Sequence, residues 1–115
     1  MKIAITTQGR TLDSTVADFS AFDGGLIIYD SDTLKFTYRN YSASPGPTSQ
    51  NGIPFGKRLT DAGVDVLVVG EIAAQIARLL GSCGIKIYAC IRATARDAIN
   101  GLKLNNLQRI DSNAP

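Results

Sequence analysis

The chain has no histidine and no tryptophan, and only two cysteines and one methionine among 115 residues. Without histidine it lacks the commonest metal ligand and the commonest general base. That argues against zinc hydrolase chemistry and against any Ser-His or Cys-His nucleophile pair. Two cysteines, Cys83 and Cys90, make no disulfide framework. They read as small buried hydrophobes or, ionised, as ligands for soft metals. No apolar run approaches the roughly 20 residues that span a bilayer. The opening Met1–Thr7 is too short and too strand-like for a secretory signal. A soluble cytoplasmic protein with no membrane partner is therefore expected. Charge of one sign is scarce too. Twelve basic against ten acidic residues leave +2, too weak a field to capture nucleic acid. Arg92, Arg96, Lys103 and Arg109 carry part of that excess, as solvated surface or as an anion site.

What is present is concentrated in residues 63–91, GVDVLVVGEIAAQIARLLGSCGIKIYACI. Val66–Val69 is continuously apolar and rich in β-branched residues, as suits a strand covered on both faces. Gly70 turns the chain, and Ile72, Ile76, Leu79 and Leu80 then recur at helical spacing. Gly81 and Gly84 supply a helix stop, and Ile85–Ile91 starts another strand. So compact a strand–helix–strand unit predicts a parallel pair with a right-handed crossover.

Around this block, Lys2–Thr7 alternates as a central strand, and Leu26–Tyr29 and Leu34–Tyr41 form an antiparallel hairpin turned by Asp30–Thr33. Lys35, Arg39 and Asn40 mark the third strand as a sheet edge. Ile53-Pro54-Phe55 opens a helix with Phe55, Leu59 and Ala62 facing inward. Thr94 and Asp97 form a capping box for a last helix, whose inward residues are Ala95, Ala98, Ile99 and Leu102. Two long connections remain. Gln8–Gly24 is anchored by Val16, Phe19 and Phe22. Ser42–Gly52, with two prolines, two glycines and three serines, reads as a mobile loop, either a lid or slack chain. The predicted organisation is one domain, residues 1–107, followed by a polar tail, 108–115.

The chemistry on offer is sparse. Neither a dinucleotide fingerprint nor a Walker loop occurs. Gly70-Glu71-Ile72-Ala73 lies beyond the carboxyl end of a strand, where ligands of such sheets bind. It opens a helix whose free N–H groups suit an anion, although Glu71 opposes one. An ordinary strand–helix turn is the plainer reading. Asp13, Asp18 and Asp23 recur on one loop and Asp30 ends a strand. Turn formation and capping account for them better than a two-metal nuclease site. No serine has an obvious base. Catalysis is therefore not expected.

The order and spacing of MKIAITTQG, LDSTVADF, GGLIIYDSDTLKF, the 63–88 block and ARDAINGLKL resemble the dinitrogenase iron–molybdenum cofactor biosynthesis family over residues 1–107. That family includes nitrogenase accessory factors and small stand-alone proteins such as the molybdenum–copper orange protein. The resemblance implies a three-layer α/β/α, ribonuclease H-like fold whose five-stranded mixed sheet has strand 2 antiparallel. It implies a non-catalytic carrier of a molybdenum-containing metal–sulfur cluster, with copper as a companion metal fitting the ligand inventory. Thr7, Gln8, Arg10, Gly70, Glu71, Ile72 and Ala73 are the residues it places about that cluster, with no metal ligand assigned. The Ser42–Gly52 loop would cover the cargo. The chain departs from the family where Phe19-Ser20-Ala21 stands for Phe-Gly-Arg and where Gly70-Glu71-Ile72-Ala73-Ala74 replaces a second glycine. A monomer or weak dimer is expected. The alternative is a metal-free interaction or regulatory module of the same fold, with protein partners.

Overall fold

A computed structural model describes residues 1–18, 25–40, 57, 59–72, 74–82, 84–90, 93–104 and 107–109. The strands are β1 (Lys2–Thr6), β2 (Gly25–Asp30), β3 (Lys35–Asn40), β4 (Val66–Val69), β5 (Lys86–Ala89) and β6 (Gln108–Arg109). Helix α1 (Ala74–Gly81) joins β4 to β5, and helix α2 (Ala95–Lys103) follows β5. One mixed sheet holds them in the order β3-β2-β1-β4-β5-β6. β1, β4 and β5 are parallel neighbours. β2 runs antiparallel to β1 and β3, as expected.

The five expected strands are joined by β6, which pairs antiparallel with β5 through Tyr88↔Arg109 and Ala89↔Gln108. Gln108 and Arg109, assigned to the polar tail, thus lie at the sheet edge. Leu107 explains why the chain returns there. It packs against the core cluster that includes Ala95, Ala98 and Ile99, close against the backbone of Gly101.

Alternation along each strand distributes two cores. On one face Ala4, Leu26, Ile28, Leu67, Val69 and Ile87 pack with Leu59 and Leu80. On the other, Ile3, Ile5, Ile27, Val66 and Val68 pack with Ala95, Ala98 and Ile99 of α2. Both faces of β4 are therefore covered, which is why its sequence is uninterruptedly apolar. Leu67, Val68 and Val69 are each 0% exposed, and burying each such side chain contributes about 1.5–3 kcal/mol. The result is three layers, helix on sheet on helix.

Local chemistry sets the helix limits. Thr94 Oγ1 accepts the Asp97 N–H while the Asp97 carboxylate accepts the Thr94 N–H, closing the expected capping box. α1 ends at Gly81, and Gly84 follows at φ 90°. The β2–β3 hairpin turns through Asp30, whose Oδ1 accepts the Asp32 N–H at 2.8 Å. Leu34 closes it at φ 61°, a left-handed conformation that leucine rarely adopts. The expected lid at 42–52, the helix start at 53–55, Phe19, Phe22, Asp23, Cys83 and Arg92 lie outside the described residues, as do the side chains of Ile76 and Leu79.

Candidate functional site at the carboxyl edge

The parallel register Ile3↔Val66, Ala4↔Leu67, Ile5↔Val68 brings β1 and β4 to a common end. Thr7 and Gly70 emerge side by side at the carboxyl edge, where open α/β sheets bind ligands.

That edge is not an open hole. The segment Thr15–Asp18 crosses it as a backbone strap. The Ala17 carbonyl accepts the Thr6 hydroxyl at 2.8 Å and the Gly70 N–H at 3.0 Å, so one oxygen clamps the ends of β1 and β4. The Ala17 N–H returns a bond to the Thr6 carbonyl at 2.8 Å. Thr6 and Ala17 are buried, at 0% and 1% exposure, so these bonds operate away from water and are costly to break. One residue on, Asp18 Oδ1 accepts the Glu71 N–H at 2.8 Å. Two of the N–H groups that the sequence offers to an anion, those of Gly70 and Glu71, are thereby engaged by a carbonyl and a carboxylate of the same chain.

Gly70 is required here by close approach. A Cβ at this position would collide with Asp18 Oδ1 and lie 3.1 Å from the Asp18 N and Cα atoms. The turn is thus built around the strap.

The strap is anchored on its far side by α2. Val16 N–H donates to the Ala93 carbonyl at 2.8 Å, Ala95 N–H to Ser14, and Arg96 N–H to Leu12. An exposed Arg96–Asp13 pair at 3.2 Å adds a weaker tie. Much of the long 8–24 connection is thus tied to the body of the domain.

The other candidate residues do not converge on one point. Thr7 is buried, and its hydroxyl donates to the Gly9 carbonyl at 2.7 Å. Gln8 keeps an exposed side chain while its N–H bonds Thr15. Arg10 is displaced sideways. Its guanidinium stacks 5.2 Å from the centre of the Tyr38 ring. Tyr38 sits on β3, three strands from β4, a lateral distance of roughly 14 Å at the usual strand spacing. Ile72 is half-buried against the core, and Ala73 lies outside the described residues.

Cys90 lies beside the end of β4, its N–H donating to Val69 at 2.7 Å. Burial pushes its thiol pKa up, and the nearby Asp97 carboxylate adds to the shift. It is a protonated core residue. Among the described residues no three His, Cys, Asp or Glu side chains gather to hold a metal ion. Of the four loop and turn aspartates, Asp13 pairs with Arg96, Asp18 caps Glu71 and Asp30 holds Asp32. Sequence reasoning missed Ala17, for which no local signal exists. It read Asp18 as turn formation or capping, and the carboxylate does accept a free N–H, that of Glu71, from across the sheet edge.

No protein-family model matches the chain, and no curated protein sequence does. Several solved structures do. The apo form of the orange protein from Desulfovibrio gigas shares 25% identity over 94% of this chain and 91% of its own, with a TM-score of 0.78. A Thermotoga protein proposed to be a NifB protein shares 20% identity over 99% and 97%, at TM-score 0.76. A protein from Methanocaldococcus jannaschii proposed to be a dinitrogenase shares 15% over 97% and 96%, at 0.62. The last two show likeness of fold alone.

Proposed function

We propose that this chain, which resembles the dinitrogenase iron–molybdenum cofactor biosynthesis family in sequence blocks and in structure, is a non-catalytic carrier of an anionic, molybdenum-containing metal–sulfur cluster. The sheet order and the antiparallel β2 support a ribonuclease H-like assignment of the fold. The observation that carries the functional reading is likeness to the orange protein over 94% of the chain, joined to a carboxyl edge whose strand ends meet. A molybdenum–copper cluster is the composition we favour as cargo.

The donor set fits such a guest better than it fits a bare ion. Among the described residues no three metal-ligating side chains gather, and the Cys90 thiol is buried and protonated, so these residues offer little to a bare metal ion. A cluster that brings its own sulfides needs only hydrogen-bond donors, positive charge and an apolar wall. We assign it to the outer surface of the strap, between Thr7 and Gln8 on one side and Gly70, Glu71 and Ile72 on the other. Arg10 acts from the flank through its field. The Asp18 carboxylate already holds the Glu71 N–H, so an anionic guest must displace or tolerate it.

The test is reconstitution with tetrathiomolybdate and copper, followed by desalting, visible spectroscopy and elemental analysis. Retained colour with stoichiometric molybdenum is expected. Asp18→Asn removes a negative charge beside the guest and should tighten retention several-fold. Metal-free, colourless protein after both reconstitution and native expression would refute the proposal.

A further inference from the structure

A concavity of about 380 Å³ lies at the other half of the sheet, over β2 and β3. Its size is within the range of small-molecule sites. The strand register explains its composition. Lys2, Asp30 and Lys35 stand opposite one another in one row across β1, β2 and β3. Ile28 and Thr37 form the next row, and Leu26 and Arg39 the third. Residues paired across a ladder share a face, so Lys2, Lys35 and Arg39 rise around Ile28 and Thr37, with Ala62 beside them.

Three cations here face one carboxylate. Asp30 is held ionised, its pKa lowered chiefly by the hydrogen bond from the Asp32 N–H. Asp32 itself pairs with the N-terminal ammonium at 3.2 Å. Neither described salt bridge involves Lys2, Lys35 or Arg39. Among the described residues the Lys2 ammonium donates to the Ala62 carbonyl at 3.4 Å, and the Lys2 N–H donates to the Asp65 carboxylate at 3.0 Å. With Asp30 the one carboxylate in its lining, the concavity carries net positive charge, although the chain as a whole is only +2.

The charges select the ligand. Lys2 and Lys35 are two strands apart, roughly 10 Å, and Lys35 and Arg39 are four residues apart along one strand, roughly 14 Å. These are backbone separations, and the long Lys and Arg stems let the three head groups converge over Ile28 and Thr37. A linked pair of phosphates offers them more oxyanions and more charge than one phosphate does, with the planar Arg39 fork and the Lys point charges each suited to an oxyanion. We infer that this concavity binds a diphosphate-bearing ligand, lodged between Lys2, Lys35 and Arg39 over Thr37 and Ile28. The site is separate from the carboxyl edge and does not depend on cluster binding.

The test uses the metal-free full chain, titrated with inorganic pyrophosphate and with ADP by calorimetry and by amide chemical shifts. Saturable binding is expected, with shifts at Lys2, Lys35, Thr37 and Arg39. It should weaken steeply as salt rises from about 20 to about 200 mM, because the cations are exposed. Lys35→Gln/Arg39→Gln should lose about tenfold or more while keeping the parent melting temperature, since both side chains lie in solvent. Lys86→Gln, exposed on β5 outside the concavity, should leave the binding of both probes unchanged. Tighter ADP than pyrophosphate identifies a nucleotide as the source of the diphosphate, and equal affinities identify the inorganic anion. No binding of either probe at millimolar concentration, undiminished affinity in the double variant, or shifts confined to Gly70–Ile72 would each overturn the inference.

Discussion

Replacing Gly70 by alanine should loosen the strap that closes the carboxyl edge. The backbone of Gly70 is not left-handed, so alanine meets no conformational penalty there. The whole effect is steric. The new methyl group collides with Asp18 Oδ1 and presses the Asp18 N and Cα atoms from 3.1 Å. Overpacking of this kind costs about 1–3 kcal/mol. If the strap retreats, the Gly70–Ala17 and Glu71–Asp18 hydrogen bonds are weakened as well, at about 1 kcal/mol each. The expected destabilisation is about 2–4 kcal/mol, or roughly 10 °C in melting temperature for a chain of this size. Urea and thermal denaturation followed by circular dichroism measure it. Gly84→Ala is the control. There φ is +90° but nothing lies within 4 Å, so only about 1 kcal/mol of backbone strain is expected. In Asp18→Ala/Gly70→Ala the first obstacle is gone, and the two changes should be non-additive by about 1 kcal/mol or more. A Gly70→Ala variant within about 0.5 kcal/mol of the parent, or strict additivity with Asp18→Ala, would refute the strap as described.

Leu34 offers a gain. It is 66% exposed and held at φ 61°. Leu34→Gly relieves a left-handed strain of about 1–2 kcal/mol, less the extra chain entropy of glycine, and a melting temperature raised by a few degrees is the expected result. Cys90, in a Cys83→Ser background, should react with a thiol reagent only as fast as the fold opens, and freely in denaturant. Because burial raises its pKa above the ordinary value of 9.0, its stabilising contribution is complete below that pH and declines as pH rises through the folded pKa. A stability curve that climbs above pH 9 would contradict this assignment. Arg10→Ala should weaken cluster retention at low ionic strength and change it less than about threefold at physiological salt, since roughly 14 Å exceeds the Debye length of about 8 Å. A large loss in high salt would mean direct contact.

Much of this architecture is legible from local chemistry. Val66–Val69 announces a strand covered on both faces because no residue in it can face water. The Thr94–Asp97 capping box and the Gly81–Gly84 stop are short-range signals, and the structure retains both. The hairpin of β2 and β3 follows from two alternating runs about a turn rich in aspartate. The candidate site was legible only in its position. The meeting of β1 and β4 follows from a parallel strand–helix–strand unit, but the contents of their junction do not.

Sequence alone therefore determined the order of the strands through β5 and of α1 and α2, and the inward faces of strands and helices, since each depends on periods of two to four residues. Tertiary structure decided the rest. It set the Ala17 carbonyl between Thr6 and Gly70, laid Asp18 on the N–H of Glu71, drew Arg10 aside onto Tyr38, and gathered Lys2, Lys35 and Arg39 about one concavity. Asp18 and Glu71 are 53 positions apart. A bond between groups so distant leaves no periodic trace in the chain, and it exists only once the sheet has brought their strands together.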